Sequence, residues 1–373
     1  MDAAVVAAAK ELSLSDARTE NISEVVKSVL KSNFEAQSAD SPSMQKIAAA
    51  TKITSNYDSA ELLLSVRADQ PFNSPFGTKI GLKPETLTAQ ATAQIVGRPN
   101  ICILALNPSS NGTIDLQHNA LITGNNCAVF SNSTHNNGIK AKNSVRLTAS
   151  TICSAGGFQG KGNQFSPRPM GDCPQFEDPL ASRAAPAIGK CDTTLPTEVF
   201  ESRTLQPGTY CKDLTISNGA IVELAEGIYV FQGARLTVDG NAELRGENVG
   251  LYFDAGSQFN FEPRSEIALE APVSGPMSGL VIFTARNMKK GKSNSILSEN
   301  AQNLVGTIYL PTAELRIDGA AQIGGDAAYT ALVVHDLRIY GGPHVVLNTD
   351  YHKTDVPVPA GIRGAGQPVR LIQ

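Results

Sequence analysis

Residues 214–244 read LTISNGAIVELAEGIYVFQGARLTVDGNAEL, and one phrase occurs in them twice. LTISNGA begins at Leu214, and LTVDGNA begins 22 positions later, at Leu236. A phrase that recurs at a fixed step of about 20 to 50 residues indicates a structural unit that is stacked on copies of itself. The repeat therefore predicts a fold that is built by stacking.

The same phrase recurs along most of the chain. Each copy has a first strand marked by two apolar residues, then two further short strands, with Asn, Gly, Asp or Ser at the corners where a positive φ is needed. Three strands per repeat predict a three-faced parallel β-helix, or β-solenoid, of about 22 residues per coil. The marker pairs are Leu214 and Ile216, Leu236 and Val238, Phe259 and Phe261, Leu315 and Ile317, and Leu337 and Ile339.

The predicted solenoid begins near residue 100 and winds in chain order through roughly seven or eight coils. At about 4.8 Å per coil its length is about 35 Å. NTDYHK (348–353) falls on the last coil, where polar residues are expected to cap the open edge. Two insertions interrupt the repeat, a Pro/Gly-rich segment near 154–190 and a basic loop near 284–295.

The residues before the solenoid follow a different pattern. NISEVVKSVLKSNF (21–34) has an N-cap residue, a glutamate three positions later and an apolar stripe, which together predict an amphipathic helix. In TLTAQATAQI (86–95), apolar and polar residues alternate, which predicts a strand with one buried face. We therefore predict an α+β domain at 1–97, with a helix and a small antiparallel sheet, the solenoid at 98–356 and a C-terminal tail at 357–373.

Composition and charge exclude several classes of protein. The chain of 373 residues is 41% hydrophobic, enough for one large core or two medium ones, and its formal net charge of -4 offers no basic surface to nucleic acid. No stretch approaches the roughly 20 apolar residues of a membrane span. MDAAVVAAAK at the start is typical of the downstream end of a helix, so we expect a transmembrane helix ahead of this sequence. A native cytosolic start is the alternative.

The six cysteines all lie in one third of the chain. They form no CxxC pair and have no histidine at metal-ligand spacing, so zinc and redox chemistry fit poorly. Their even number favours three disulfides in an oxidising compartment, and six free thiols in a cytosolic solenoid are the alternative. From the strands and the insertion that they flank we propose the pairs Cys102 with Cys127, Cys153 with Cys173, and Cys191 with Cys211, although other connectivities stay open at this point.

Catalytic, cofactor-binding and metal-binding residues are not predicted. Asp239 and Asp318 occupy corner positions, where the matching Asn218 indicates a turn rather than catalysis. A polysaccharide-cleaving enzyme on a β-helix needs two carboxylates close together, and no Asp-Asp or Asp-Glu run supports such a pair. The five histidines are scattered.

The basic loop RNMKKGKSN (286–294) is the one candidate interaction site in the sequence. Its cations would contact an acidic polysaccharide, a lipid headgroup or a partner protein, and a solvated loop is the alternative interpretation. The candidate residues are Arg286, Lys289, Lys290 and Lys292.

Several segments together resemble the TadG-like proteins of the tight-adherence (Tad, Flp) pilus machinery of bacteria, and they cover most of the chain. The matching segments are DAAVVAAAKEL (2–12), TLTAQATAQI (86–95), ICILALNPSSNGTIDLQHNALITGNNCAVFSNS (101–133), GDCPQFEDPLAS (171–182), LQPGTYCKDLTISNGAIVELAEGIYVFQG (205–233) and LVGTIYLPTAELRIDGAAQIGG (304–325). The apolar helix that defines the family is not in this sequence, so membrane anchoring is an inference.

The resemblance implies a function in the cell envelope. A transmembrane helix would hold a pilin-like domain in the periplasm, and the protein would act as a minor pilin or pseudopilin in pilus assembly, initiation or tip display. Its partners would be other minor pilins and assembly components, with no enzymatic activity and no cofactor.

Two alternatives are retained. The first is a surface adhesin that binds a glycan or host protein through an exposed ladder of like residues on one solenoid face. The second, more distant, is a polysaccharide-cleaving β-helix enzyme, which needs a carboxylate cluster in a groove.

Overall fold

The computed structural model describes residues 5–6, 51–58, 63–72, 85–94, 99–288, 293–364 and 370–372 of the protein. The chain divides into two compact units. Unit 1 comprises Met1–Pro99 with Gly364–Gln373, and unit 2 comprises Asn100–Arg363. The predicted helix at 21–34 lies outside the described residues.

The described strands of unit 1 form one antiparallel sheet, and Val5 and Val6 are helical. The strands are β1 (Lys52–Asp58), β2 (Leu63–Phe72), β3 (Glu85–Gln94) and β30 (Arg370–Ile372), in the order β1-β2-β3-β30. β3 is the strand that the alternation in TLTAQATAQI predicts, with Ala91 and Ala93 buried. Because β3 precedes residue 100 and β30 follows residue 363, the whole of unit 2 is inserted between two neighbouring strands of this sheet.

Unit 2 is a parallel β-solenoid of about ten turns, as the repeat predicts. Its strands are β4 (Asn100–Ala105), β5 (Ile114–Leu116), β6 (Leu121–Gly124), β7 (Cys127–Ser131), β8 (Ile139–Ala141), β9 (Arg146–Thr148), β10 (Thr151–Ser154), β11 (Phe158–Gln159), β12 (Phe165–Ser166), β13 (Glu198–Val199), β14 (Arg203–Leu205), β15 (Gly208–Tyr210), β16 (Leu214–Ile216), β17 (Ile221–Leu224), β18 (Gly227–Phe231), β19 (Arg235–Val238), β20 (Glu243–Gly246), β21 (Val249–Phe253), β22 (Gln258–Phe261), β23 (Glu266–Glu270), β24 (Leu280–Thr284), β25 (Ser293–Ile296), β26 (Asn300–Ile317), β27 (Gln322–Ile323), β28 (Thr330–Ile339) and β29 (His344–Leu347). Short 3-10 helices lie at Gly162–Gln164 and Tyr351–Lys353.

The turns do not stack in the order of the chain. β4 pairs in parallel with β7 on one side and with β28 on the other, and β6 pairs likewise with β9 and β29. The chain therefore enters the solenoid between its ends and not at one of them. From one end to the other we number the turns 1 (198–205), 2 (208–224), 3 (227–246), 4 (249–270), 5 (280–305), 6 (306–323), 7 (330–347), 8 (100–124), 9 (127–148) and 10 (151–166).

This order corrects the predicted continuous winding from residue 100. The turn at 330–347 is covered by the turn at 100–124, so NTDYHK does not cap an end of the solenoid. Residues 158–166, which the sequence analysis assigns to an insertion, form β11 and β12 of turn 10. Every turn presents the same parallel edge to its neighbours, so the repeat in the sequence carries no information about which turns stack together.

Inward side chains form ladders that are buried along the solenoid axis. Phe231 stacks on Phe253 with ring centroids 4.8 Å apart, and Tyr210 stacks on Phe231 at 5.3 Å. Burial of one such side chain contributes about 1.5–3 kcal/mol to folding. At the corners, Asn218 has φ 60° and Gly240 has φ 61°, as the turn interpretation requires.

Residues 167–197 form a strap that connects turn 10 with turn 1 along the side of the solenoid. Its successive contacts are Phe176 with Phe130 of turn 9, Asp178 with Tyr309 of turn 6, Leu180 with Arg286 of turn 5, and Asp192 with Thr209 of turn 2. About ten turns require about 50 Å, and an extended segment of this length reaches about 100 Å. The long insertion is therefore the connection that the split order of turns demands.

Candidate functional site

The strap covers one of the three solenoid faces. On this face, here called face 1, an outward column runs through Tyr252, Phe283 and Tyr309, which lie in register on successive turns. β21, β24 and β7 are buried at every position, because the core covers one side, while the strap and, over Gly250 of β21, the side chain of Met277 cover the other. This explains why their sequences are continuously apolar instead of alternating.

The six cysteines form the three predicted disulfides. Cys102–Cys127 joins turns 8 and 9, Cys153–Cys173 joins turn 10 to the strap, and Cys191–Cys211 joins the strap to turn 2, with Cα–Cα distances of 5.4, 6.1 and 5.6 Å. In the chain-entropy account, each contributes on the order of 3 kcal/mol to stability. Two of them fasten the strap near its ends.

Arg286 lies beneath the strap and not on a protruding loop. Its guanidinium lies 5.4 Å from the Phe283 ring centroid and 5.5 Å from that of Tyr309. One terminal nitrogen donates hydrogen bonds to the carbonyl oxygens of Leu180 at 2.7 Å and Arg183 at 2.8 Å. This residue therefore anchors the strap, which corrects its assignment to an interaction loop. Lys289, Lys290 and Lys292 lie outside the described residues.

An acidic groove of about 740 Å³ crosses the solenoid at the corner after face 3, the face that carries β20, β23 and β27. NTDYHK contributes Asn348, Asp350 and Lys353 to its wall, and the Lys353 ammonium donates to Asp350 Oδ2 at 2.8 Å. The carboxylates that line the groove are Glu247, Glu270, Asp326, Asp350 and Asp355. They outnumber the single lysine, so the groove is negatively charged.

Glu247 and Glu270 occupy equivalent positions on neighbouring turns of the groove. Gly246 pairs with Leu269, so the two glutamates follow in register about 4.8 Å apart along the axis. Burial raises the pKa of Glu270, and the negative charge of Glu247 raises it further. The pair was not predicted from the sequence, because the two glutamates lie in different repeats and share no motif. Their equal place in successive repeats was the only available signal.

A polar column follows face 2, the face that carries β16, β19, β22 and β25. Thr215, Thr237, Asn260 and Ser295 lie in register on turns 2 to 5. The first three are partly exposed, whereas Ser295 is buried and its hydroxyl lies 3.2 Å from Asn260 Oδ1. Among these four residues, the two threonines are the like and partly exposed pair.

The corner aspartates have the predicted structural role. Asp239 Oδ1 accepts a hydrogen bond from the Gly240 amide at 2.6 Å, and Asp318 Oδ1 accepts one from the Gly319 amide at 2.7 Å. Each carboxylate therefore closes its own turn.

Two features are absent from the part of the chain that the structure describes, a metal-ligating cluster and a membrane-spanning helix. In it, no group of three or more His, Cys, Asp or Glu side chains is placed to hold a metal ion. Nor does any helix there reach the length and hydropathy of a membrane span.

Comparison of the chain with protein-family models, curated proteins and solved structures finds no match.

Proposed function

We propose that the protein is a structural component of a Tad/Flp-type pilus, a minor pilin or pseudopilin that carries the solenoid in pilus assembly, initiation or tip display. The observation that carries this proposal is the insertion of unit 2 between β3 and β30. Neighbouring strands hold the two connections close together, so a small sheet tolerates a large inserted domain. This arrangement fits a pilin-like unit that displays a second domain.

The disulfides support an envelope location for this function. Disulfides persist in the periplasm and at cell surfaces, where thiols are not kept reduced. One of the three disulfides joins two turns of the solenoid, and the other two join the strap to the turns. The proposed anchor is a transmembrane helix ahead of residue 1 that inserts among other pilin helices.

A pull-down from cell envelopes tests the proposal. The natural membrane-anchored protein would be captured from solubilised envelopes, and co-purifying proteins identified by mass spectrometry. Recovery of small pilin-like proteins and pilus secretion components is expected. Recovery of none of them, from cells that are assembling pili, would contradict the assembly function.

The acidic groove favours a second candidate, the polysaccharide-cleaving enzyme. Paired carboxylates about 5 to 10 Å apart perform acid–base hydrolysis of glycosidic bonds, and a carboxyl with a raised pKa is suited to be the acid. Glu270 and Glu247 match these roles on neighbouring turns. The test measures the release of reducing ends from envelope polysaccharides. Loss of this release in Glu270→Gln, with release retained in Glu266→Gln, would support this candidate. Equal release by both variants would reject it.

The adhesin alternative depends on face 2. Thr215 and Thr237 give it two like residues in register. A Thr215→Arg/Thr237→Arg variant should lose binding to a glycan array that the parent protein binds. Unchanged binding by this variant would move any adhesive site away from face 2.

A further inference from the structure

The two ends of the solenoid are open on two of its three faces. Within the described ranges, β13 and β14 of turn 1 pair only with turn 2, and β11 and β12 of turn 10 pair only with turn 9. Face 1 is covered at both ends by the strap, through the bridge of Met170 to Cys153 and the hydrogen bond from the Asp192 amide to Thr209. Unit 2 begins in turn 8 and its last solenoid strand lies in turn 7, so neither chain connection lies in turn 1 or turn 10.

The open edges match each other face by face. β11 and β13 both belong to face 2, and β12 and β14 both belong to face 3. Every pair of turns in the solenoid is parallel and stacks in one direction. Turn 10 of one copy therefore has the strand direction needed to stack below turn 1 of another copy, as any two consecutive turns do.

The backbone at the turn 1 edge is free to pair. The carbonyl oxygens of Thr197 and Val199 accept hydrogen bonds from the amides of Thr215 and Ser217 in turn 2. In a parallel ladder the residue between them directs its N–H and C=O to the opposite side. Glu198 thus presents its backbone N–H and C=O at the end of the solenoid, where a further strand would form hydrogen bonds with them.

Charge is complementary between the two ends. Glu198 and Glu201 are exposed at turn 1, and Lys161 and Arg168 are exposed at turn 10. Arg203 at turn 1 and Asp172 beside turn 10 have the opposite sign, and the exposed Lys190 and Asp192 of the strap beside turn 1 cancel each other. The balance leaves turn 1 negative and turn 10 positive, so contact of unlike ends is attractive and contact of like ends is repulsive.

Three of the five large exposed apolar side chains in the described part of unit 2 lie near the ends, and the other two are Ile188 and Val273. Phe200 and Ile221 at turns 1 and 2 are 50% and 40% exposed, and Met170 beyond turn 10 is 44% exposed. A contact between unlike ends would bring these side chains out of water. Apolar groups exposed near unpaired strand edges are typical of association surfaces.

We propose that the solenoid associates head to tail with a second copy of this chain, with the turn 10 edge of one copy against the turn 1 edge of the next. The contact is heterologous, so each added copy presents a new open end and the assembly grows as an open chain. The proposal rests on the two ends alone and does not depend on the pilus function.

Sedimentation velocity of the full chain tests the proposal across about a hundredfold range of concentration. Species larger than a dimer are expected to increase with concentration and to decrease with added salt. The Glu198→Lys/Glu201→Lys variant and the Lys161→Glu/Arg168→Glu variant should each associate at least about tenfold more weakly, because like charges then meet. Glu266→Lys/Glu299→Lys makes the same change of charge in middle turns and should associate as the parent does.

An equimolar mixture of the two end variants gives the decisive result. Each variant alone repels itself, whereas the mixture again places unlike charges at every contact, so association should return to the parental level. Failure of the mixture to associate would overturn the proposal, and so would a parent protein that stays monomeric or stops at a closed dimer. The recovery in the mixture also excludes misfolding as the cause of the loss.

Discussion

Asn107 donates a hydrogen bond from Nδ2 to Oδ2 of Asp336 at 2.9 Å, across 229 positions of sequence. Asn107 follows β4 in turn 8, and Asp336 lies on β28 in turn 7. His335 Nδ1 lies 2.7 Å from the same carboxylate oxygen. Burial alone would raise the pKa of Asp336, but the hydrogen bonds from His335 and Asn107 outweigh it and hold the pKa below its usual value. The seam between turns 7 and 8 of the solenoid is therefore fastened by a charged, hydrogen-bonded side chain.

Loss of this seam bond should weaken the whole solenoid. Asn107→Ala is expected to lower the free energy of unfolding by about 1–2 kcal/mol, since a largely buried carboxylate oxygen loses a donor and the amides of Ser109 and Ser110 lose the acceptor Oδ1. Asn125 also bonds across the seam, to Asn348 Oδ1 at 2.9 Å, but it does so in solvent. Asn125→Ala should therefore cost less, and chemical denaturation compares the two. Equal costs would show that burial of the seam bond contributes nothing.

Removal of the Arg286 guanidinium should release the strap locally. Arg286→Met keeps much of the apolar length but leaves the carbonyl groups of Leu180 and Arg183 without their charged donor, at a cost of about 2–3 kcal/mol. Limited proteolysis should then cleave within 177–190 faster than in the parent protein. Arg146→Met, an exposed change on turn 9, should leave the cleavage rate unchanged. If both variants are cleaved alike, Arg286 does not anchor the strap.

The three disulfides should be reduced in a defined order. Cys191 is exposed, whereas Cys102 and Cys127 are 1% and 0% exposed, so a thiolate reaches the first disulfide and not the last without unfolding. Mild thiol treatment followed by alkylation and peptide mass spectrometry should label Cys191 and Cys211 first and Cys102 with Cys127 last. Simultaneous labelling of all six would mean that reduction follows global unfolding.

The acidic groove should make stability depend on pH. Burial, with the charge of Glu247, raises the pKa of Glu270 in the folded state, so its ionisation opposes folding. The penalty is absent below the unfolded pKa of about 4.3, grows as the pH rises through the folded pKa, and persists at neutral pH. Glu270→Gln should therefore raise the free energy of unfolding at pH 7, by about 0.3 kcal/mol for this partly exposed group.

Thermal unfolding of Glu270→Gln at several pH values checks this expectation. The gain in stability over the parent protein should disappear below about pH 4, where the Glu270 carboxyl becomes protonated in both the folded and the unfolded protein. Glu266→Gln, an exposed change on the same strand, serves as the control. A gain in stability of equal size at pH 3 and pH 7 would contradict the prediction, because ionisation of Glu270 would then not be its cause.

The repeat in the sequence was sufficient to predict the solenoid. LTISNGA and LTVDGNA fall in register as predicted, with Leu214 beside Leu236. Local spacing fixes this outcome, because each 22-residue copy must bury the same apolar positions against its neighbours. The cysteines likewise followed from their places at strand starts and insertion ends. The function of the assembled chain stays a proposal.

Only the tertiary structure decided the order of the turns, and with it the surfaces of the protein. The repeat makes all turn edges equivalent. No local feature of the sequence therefore predicts that Leu332 lies beside Ile103, or that the long insertion runs back along face 1. The position of Arg286, the glutamate pair in the groove and the open ends all follow from that order. The sequence by itself determined what each turn looks like, whereas the stacking of equivalent edges determined which residues meet.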